Sequence, residues 1–418
     1  MTDFRDDLLR LILDKLTIKN GILTLTNQEN FLKTQRFGIL LISELLEGEH
    51  YQEKFDAIQY SWYADSLHPL LFEPFETAIK ELKLEKKVFF QDFKKKVDRE
   101  LIKIERQKKL VEFDFFYPIR IQTTKKLKKM EIEGISVEIK NYQEIENFLS
   151  NPQLLSEIRE YEMNYSTQLI HPSLSYIHIS LFARNLWYAE RKAARNAQLI
   201  VSIIAYIENY RVMWRTLIGP PKPISDLDVE IELAFSEKDF VNLFYKNVAL
   251  GKKNHKLANK QIDDINRIIG LFETSDQSIR DFIEDGLIAY HSGTIQKHMG
   301  YAFVNFWTSA ERFCLKNHQV TERKVMERLL SPLLNKTGIT KNELKRLYKI
   351  RNKIIHEADY GLATEYDRNI MQFYIEPFIA FFIEKLSKYP QKKIERIFQF
   401  LNDPTSDLSK FDEIVESL

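Results

Sequence analysis

The chain has 418 residues, 44% of them hydrophobic and 29% charged, with a formal net charge of +1. That length supports two to three domains with substantial cores, and the charge balance excludes a molecule-wide attraction to nucleic acid. A single cysteine, Cys314, excludes an internal disulfide and fits a reducing compartment. The opening MTDFRDDLLRLILDKL carries acids ahead of its apolar residues, unlike a signal peptide. No apolar run reaches the roughly 18–20 residues that span a bilayer; the stretch 197–207 is too short and ends in Glu208. The expectation is a cytoplasmic protein with no membrane partner.

Residues 4–16 have the spacing of an amphipathic helix, and Asn20-Gly21 marks a hairpin turn. From 31 to about 109 the pattern is mostly helical. Residues 80–129 hold 17 Lys and Arg against 8 Asp and Glu, which reads either as a solvated face or as a strip facing RNA or a nucleotide. Near Val111 the period changes. VEFDFFYPIRI, MEIEGISVEI and SYIHISLFARN (175–185) read as strands, and a long helix pattern follows from Trp187 to Tyr210. His178, within the third of these strands, reads as a packed or surface histidine rather than a ligand. GPPKPISD (219–226) is the clearest break, since three prolines within five residues end any helix. VEIELAF then reads as a short strand and GKKNHKLANK (251–260) as a loop leading into a helix. Helices are expected near 261–273, 278–299, 300–317, 341–358 and 364–387, the last with a kink at Pro377. Residues 391–418 read as a further helix and a frayed tail.

Several chemistries are poorly supported. There is no GxxxxGK[ST] loop, no HExxH, no CxxC, no GxSxG elbow, no kinase signature and no Cys/His cluster. No metal or cofactor is expected. The informative stretch is Leu344 to His356, LKRLYKIRNKIIH. As a helix it places Leu344, Leu347, Tyr348, Ile354 and Ile355 on one face with Arg351 in the middle. Asn352 and His356, four apart, are neighbours on its flank. A guanidinium cannot shed its charge, so burying it without a partner is costly. In YAFVNFWTSAERFCL (301–315), Glu311 falls on the apolar face beside Trp307 and is the natural partner for Arg351. Two readings stay open: a buried ion pair that fixes helix register, or a functional site.

Arg351-Asn352-Lys353-Ile354-Ile355-His356 resembles the R-N-x-x-x-H signature of HEPN domains. Tyr348, three residues before the arginine, and Ala310-Glu311 on a preceding helix also match that pattern. The run from Leu287 through His356 is similar to the ApeA-like branch, and the resemblance covers roughly residues 260–388. A second R-x(5)-H match, Arg312 to His318, is accidental. The resemblance implies a helical bundle that dimerises with its two motifs facing each other. It also implies a metal-independent endoribonuclease, often serving phage defence or growth arrest. In that reading Arg351, Asn352 and His356 are catalytic, while Glu311 and Tyr348 support them. The alternative is a non-catalytic HEPN module that binds RNA or nucleotide, or scaffolds a partner; a toxin coupled to an antitoxin is a third. The expected class is α+β, mainly α. A mixed N-terminal region with a small sheet precedes an all-α HEPN-like bundle. The segments are 1–105 (mostly helical), 106–218 (α+β, a sensor), 219–258 (linker), 259–390 (bundle) and 391–418 (helix and tail).

Overall fold

The computed structural model describes residues 16–19, 22–25, 95, 99, 110–165, 169–183, 186–213, 227–229, 231–245, 255–316, 320–330, 340–403 and 413. Leu16 is in a strand and Lys95 and Arg99 are helical; the rest of the expected helices over 4–16 and 31–109, and the proline-rich break at 219–226, lie outside them. Backbone contacts divide the chain into two units, Met1–Phe113 with Leu181–Ala193, and Asp114–Ser180 with Ala194–Leu418. In the first unit, β1 (Leu16–Lys19) and β2 (Ile22–Leu25) pair antiparallel, with Lys19 opposite Ile22. That register leaves two residues for the turn, as the Asn-Gly signal requires.

The second unit is mixed α+β and mostly helical. Its sheet uses β3 (Val111–Ile119, in this unit from Asp114), β5 (Met130–Ile132), β6 (Ile135–Asn141), β7 (Ser175–Ala183, in this unit to Ser180), β8 (Ile231–Ser236) and β9 (Asp239–Tyr245), in the order β5-β6-β7-β3-β8-β9. The short β4 (Ile121–Thr123) pairs in parallel with β10 (His255–Leu257). β10 falls where the sequence reads as a loop, because three residues carry too short an alternation to register. β3 lies in the middle of the sheet and is buried from Phe113 to Ile119. Burial on both faces explains its continuous apolar run. Helices α1 (Tyr142–Leu149) and α2 (Pro152–Tyr165) cover this sheet through Ile145, Leu149, Leu154 and Ile158. An Asn141–Glu144 capping box starts α1.

Among the described residues seven α-helices follow α3 (Leu186–Met213): α4 (Asn259–Thr274), α5 (Gln277–Ile295), α6 (Met299–Phe313), α7 (Glu322–Leu329), α8 (Lys341–Glu357), α9 (Glu365–Phe381) and α10 (Gln391–Asn402). Each is amphipathic for a readable reason. In α4, for example, Ile262, Ile265, Ile268, Ile269 and Phe272 are buried at helical spacing. Gly286 and Gly293 let α5 approach α6, since a Cβ at Gly293 would sit 2.7 Å from the Phe306 ring. The chain breaks at Gln296–His298, earlier than the expected junction at 299/300, and α6 ends at Phe313 rather than 317. Leu315 there has φ 56°, a left-handed turn. α9 runs through Pro377 without ending, and its irregularity comes later, as a π turn over Phe382–Leu386 closed by Ser387 N–H to Phe382 O at 2.9 Å. α1, α2 and α7 had no expectation behind them. Among the described residues no helix is long and apolar enough to cross a membrane.

Candidate functional site on helix α8

The Thr340 hydroxyl caps α8 by accepting the Glu343 N–H at 3.1 Å. Leu344, Leu347 and Ile354 are buried on its inner face, each contributing about 2 kcal/mol of apolar transfer. Ile355, expected on that face, is 46% exposed. It falls within the stripe by angle but in the last turn of the helix, which ends at Glu357. Arg351 stands within the stripe with 15% of its side chain exposed, and its Nη2 donates to Glu311 Oε1 at 3.1 Å. Its Nη1 donates to Asn352 Oδ1 at 3.2 Å.

Glu311 Oε1 is a shared acceptor. Besides Arg351 it takes the Trp307 indole N–H at 3.0 Å and the Lys316 ammonium at 2.8 Å. Lys316 also reaches Glu322 at 2.7 Å. Burial works against the Lys316 ammonium, but its hydrogen bonds to Glu311 and Glu322 outweigh that and hold its pKa above the ordinary value. The hydrogen bond from Lys316 holds the Glu322 carboxyl below its ordinary value. Arg351, Lys316, Glu311 and Glu322 thus form a charge-balanced cluster across α6, α7 and α8. Tyr348 closes one side, its ring 5.9 Å from Trp307.

His356 is not gathered into this cluster. It is exposed in the last turn of α8 and makes no hydrogen bond or ion pair among the described residues. The structure therefore brings Glu311, Tyr348, Arg351 and Asn352 together and sets His356 about 7.5 Å beyond Arg351 along the helix axis. His318, of the accidental match, lies outside the described residues. Of the basic strip at 80–129, four described lysines meet acids: Lys125 with Asp263 at 3.2 Å, Lys126 with Glu144 at 3.6 Å, Lys128 with Glu273, and Lys129 with Glu131 at 2.7 Å.

Buried polar groups elsewhere were not visible beforehand. Glu376 accepts from Tyr290 at 2.6 Å and from Gln372 at 3.0 Å inside the bundle. Their i and i+4 spacing on α9 was the available signal. His178, in β7, is buried, lies flat on Phe116 at 4.6 Å, and contacts Asp114 at 2.7 Å and Glu138 at 3.4 Å. This matches its reading as a packed histidine. A cavity of about 250 Å³ beside Tyr206, Tyr210 and the Arg267–Glu384 pair shares no residue with the α8 motif. Among the described residues no group of His, Cys, Asp and Glu is arranged to hold a metal ion. Comparison with family models, curated proteins and solved structures finds no match for this chain.

Proposed function

We propose that the chain is a metal-independent endoribonuclease of HEPN type, working as a homodimer through its C-terminal bundle and serving phage defence or growth arrest. The supporting observation is Arg351, largely enclosed and oriented by Glu311 and Asn352, with an exposed imidazole about 7.5 Å further along the same helix and about 140° round from it. Each group has a fitting task. His356 takes the proton from a ribose 2′-OH, that oxygen attacks the adjacent phosphate, and the P–O5′ bond breaks as the 5′-oxygen takes a proton from water. Arg351 stabilises the charge building on the phosphoryl oxygens, and Asn352 orients the phosphate. Products are a 2′,3′-cyclic phosphate and a 5′-hydroxyl. A substrate phosphate must share Arg351 with Glu311, so the second copy of α8 in a dimer supplies the rest of the cleft.

The test is direct. Purified protein should cut RNA in EDTA, leaving cyclic phosphate ends, and His356→Ala should reduce cutting by at least 100-fold with an unchanged melting curve. Equal cutting by the two proteins refutes the mechanism. Absence of cutting by wild type favours the alternative, a non-catalytic module that binds RNA or nucleotide or scaffolds a partner.

A further inference from the structure

We infer that the solvent face of α8 and the aromatic turn after it form a track for single-stranded RNA, with Tyr301 and Tyr360 as a stacking platform for one unpaired base. This rests on the reading of the chain as RNA-directed, and it adds how the strand is held and which strand is accepted.

The first observation is a lysine stripe. Lys341, Lys345, Lys349 and Lys353 are all exposed, and none forms an ion pair among the described residues. Spaced four apart, they advance about 6 Å and turn about 40° per step. Along the same arc fall Asn352 and His356, so the stripe runs beside the groups proposed to do the chemistry. The acids of the helix lie off this arc. Glu343 is engaged by Tyr366, Tyr374 and Arg346, and Glu357 is about 100° round from His356. A row of unpaired ammonium groups along one edge can follow a phosphate backbone.

The second observation is independent of charge. Ala358 ends α8 in a left-handed conformation with φ 56°, turning the chain into a short 3₁₀ turn, Tyr360–Leu362. The backbone of Tyr360 rests against Gly300 at the start of α6, where a side chain on residue 300 would collide with the Tyr360 carbonyl. The Tyr360 and Tyr301 rings then lie 4.1 Å apart, with His298 5.0 Å from Tyr301. Tyr301 is 45% exposed. Three aromatic rings are thus clustered with at least one ring open to solvent. Tyr360 is four steps along the chain from His356, so their Cα atoms are within about 14 Å. A base stacks on such a ring only if its face is free, which selects an unpaired strand over a duplex.

Binding, not cleavage, tests this. The probe is a fluorescent, unstructured RNA oligomer with 2′-O-methyl groups, which cannot be cut, read by anisotropy against the full-length protein. Tyr301→Leu should weaken binding about tenfold with an unchanged melting curve, and Tyr301→Phe should restore it. Lys345→Gln, Lys349→Gln and Lys353→Gln combined should lower the slope of log affinity against log salt by about 2. The same sequence as a duplex should bind at least tenfold more weakly and ignore Tyr301→Leu. The inference is overturned if the duplex binds equally well, if the lysine triple leaves the slope unchanged, or if polyglutamate displaces the probe at equal concentration, which would mark the face as a dock for an acidic protein. Wild type that binds the probe this way but leaves ordinary RNA intact in EDTA would remove the nuclease reading and keep the track.

Discussion

The Glu311–Arg351 pair offers the sharpest test of how the bundle is held together. Glu311→Ala removes the one carboxylate that Arg351 contacts, and also strands the Trp307 N–H, while Lys316 keeps Glu322. Breaking a fully buried pair costs about 3–5 kcal/mol. Arg351 keeps 15% of its side chain in water and retains Asn352, so about 2 kcal/mol is expected. Arg351→Ala leaves Glu311 with two donors and costs about 1–2 kcal/mol, part of it lost stem packing. In the double variant neither charge is orphaned, so its cost should fall short of the sum by about 1 kcal/mol or more. Urea unfolding of all four proteins, followed by far-UV circular dichroism, supplies the cycle. Costs that add to within about 0.3 kcal/mol would show that the two side chains act independently, refuting the claim that the pair organises α6 and α8.

Three other outcomes follow from local geometry. Gly300→Ala forces a methyl group into the Tyr360 carbonyl and should cost about 1–3 kcal/mol, seen as a lowered Tm. Asp367 is opposed by burial, but hydrogen bonds from Thr364 and the Arg346 guanidinium hold its carboxyl below the ordinary range. Its contribution is present above the unfolded value near 3.9 and is lost as pH falls through the lower folded value. Asp367→Asn should therefore lower Tm at pH 7, and the gap to wild type should narrow below about pH 4; a gap that widens in acid would contradict this. Burial pushes the Cys314 thiol well up, so a disulfide reagent should leave native protein unlabelled and react once urea unfolds it.

The longer helices from α3 onward were legible from a stripe of apolar residues running for three turns or more. β3, β7 and β8 were legible from β-rich apolar runs, and β5 and β6 from two such segments around a glycine turn. The β5–β6 hairpin turns at Glu133-Gly134, both with positive φ, and Gly134 announces it. The β8–β9 hairpin uses the same two-residue geometry at Glu237 and Lys238, φ 51° and 74°. Those residues carry no turn signal and are strained there, so β9 went unread. α7 was missed because eight residues with five charges present only two turns of apolar face. At the candidate site, the Arg351–Glu311 contact followed from two mismatched residues on two apolar stripes. The roles of Trp307 and Lys316 as further donors to Glu311 did not, since they depend on how α6 turns at Leu315. The separation of His356 from Arg351 was readable in angles: 500° of helix between them places the two about 140° apart.

The π turn after α9 also says something about where this chain tolerates a change of length. Elsewhere in a helix, losing one residue swings every later side chain by about 100° and empties the apolar stripe into solvent. Here Phe382–Leu386 already carries one residue more than a regular turn needs, so a deletion at exposed Lys385 would relax the bulge into an ordinary turn. Ser387 and the approach to α10 would keep their facing. This short segment is the one point along α9 and its extension where the helix can shed a residue and stay in register with its neighbours.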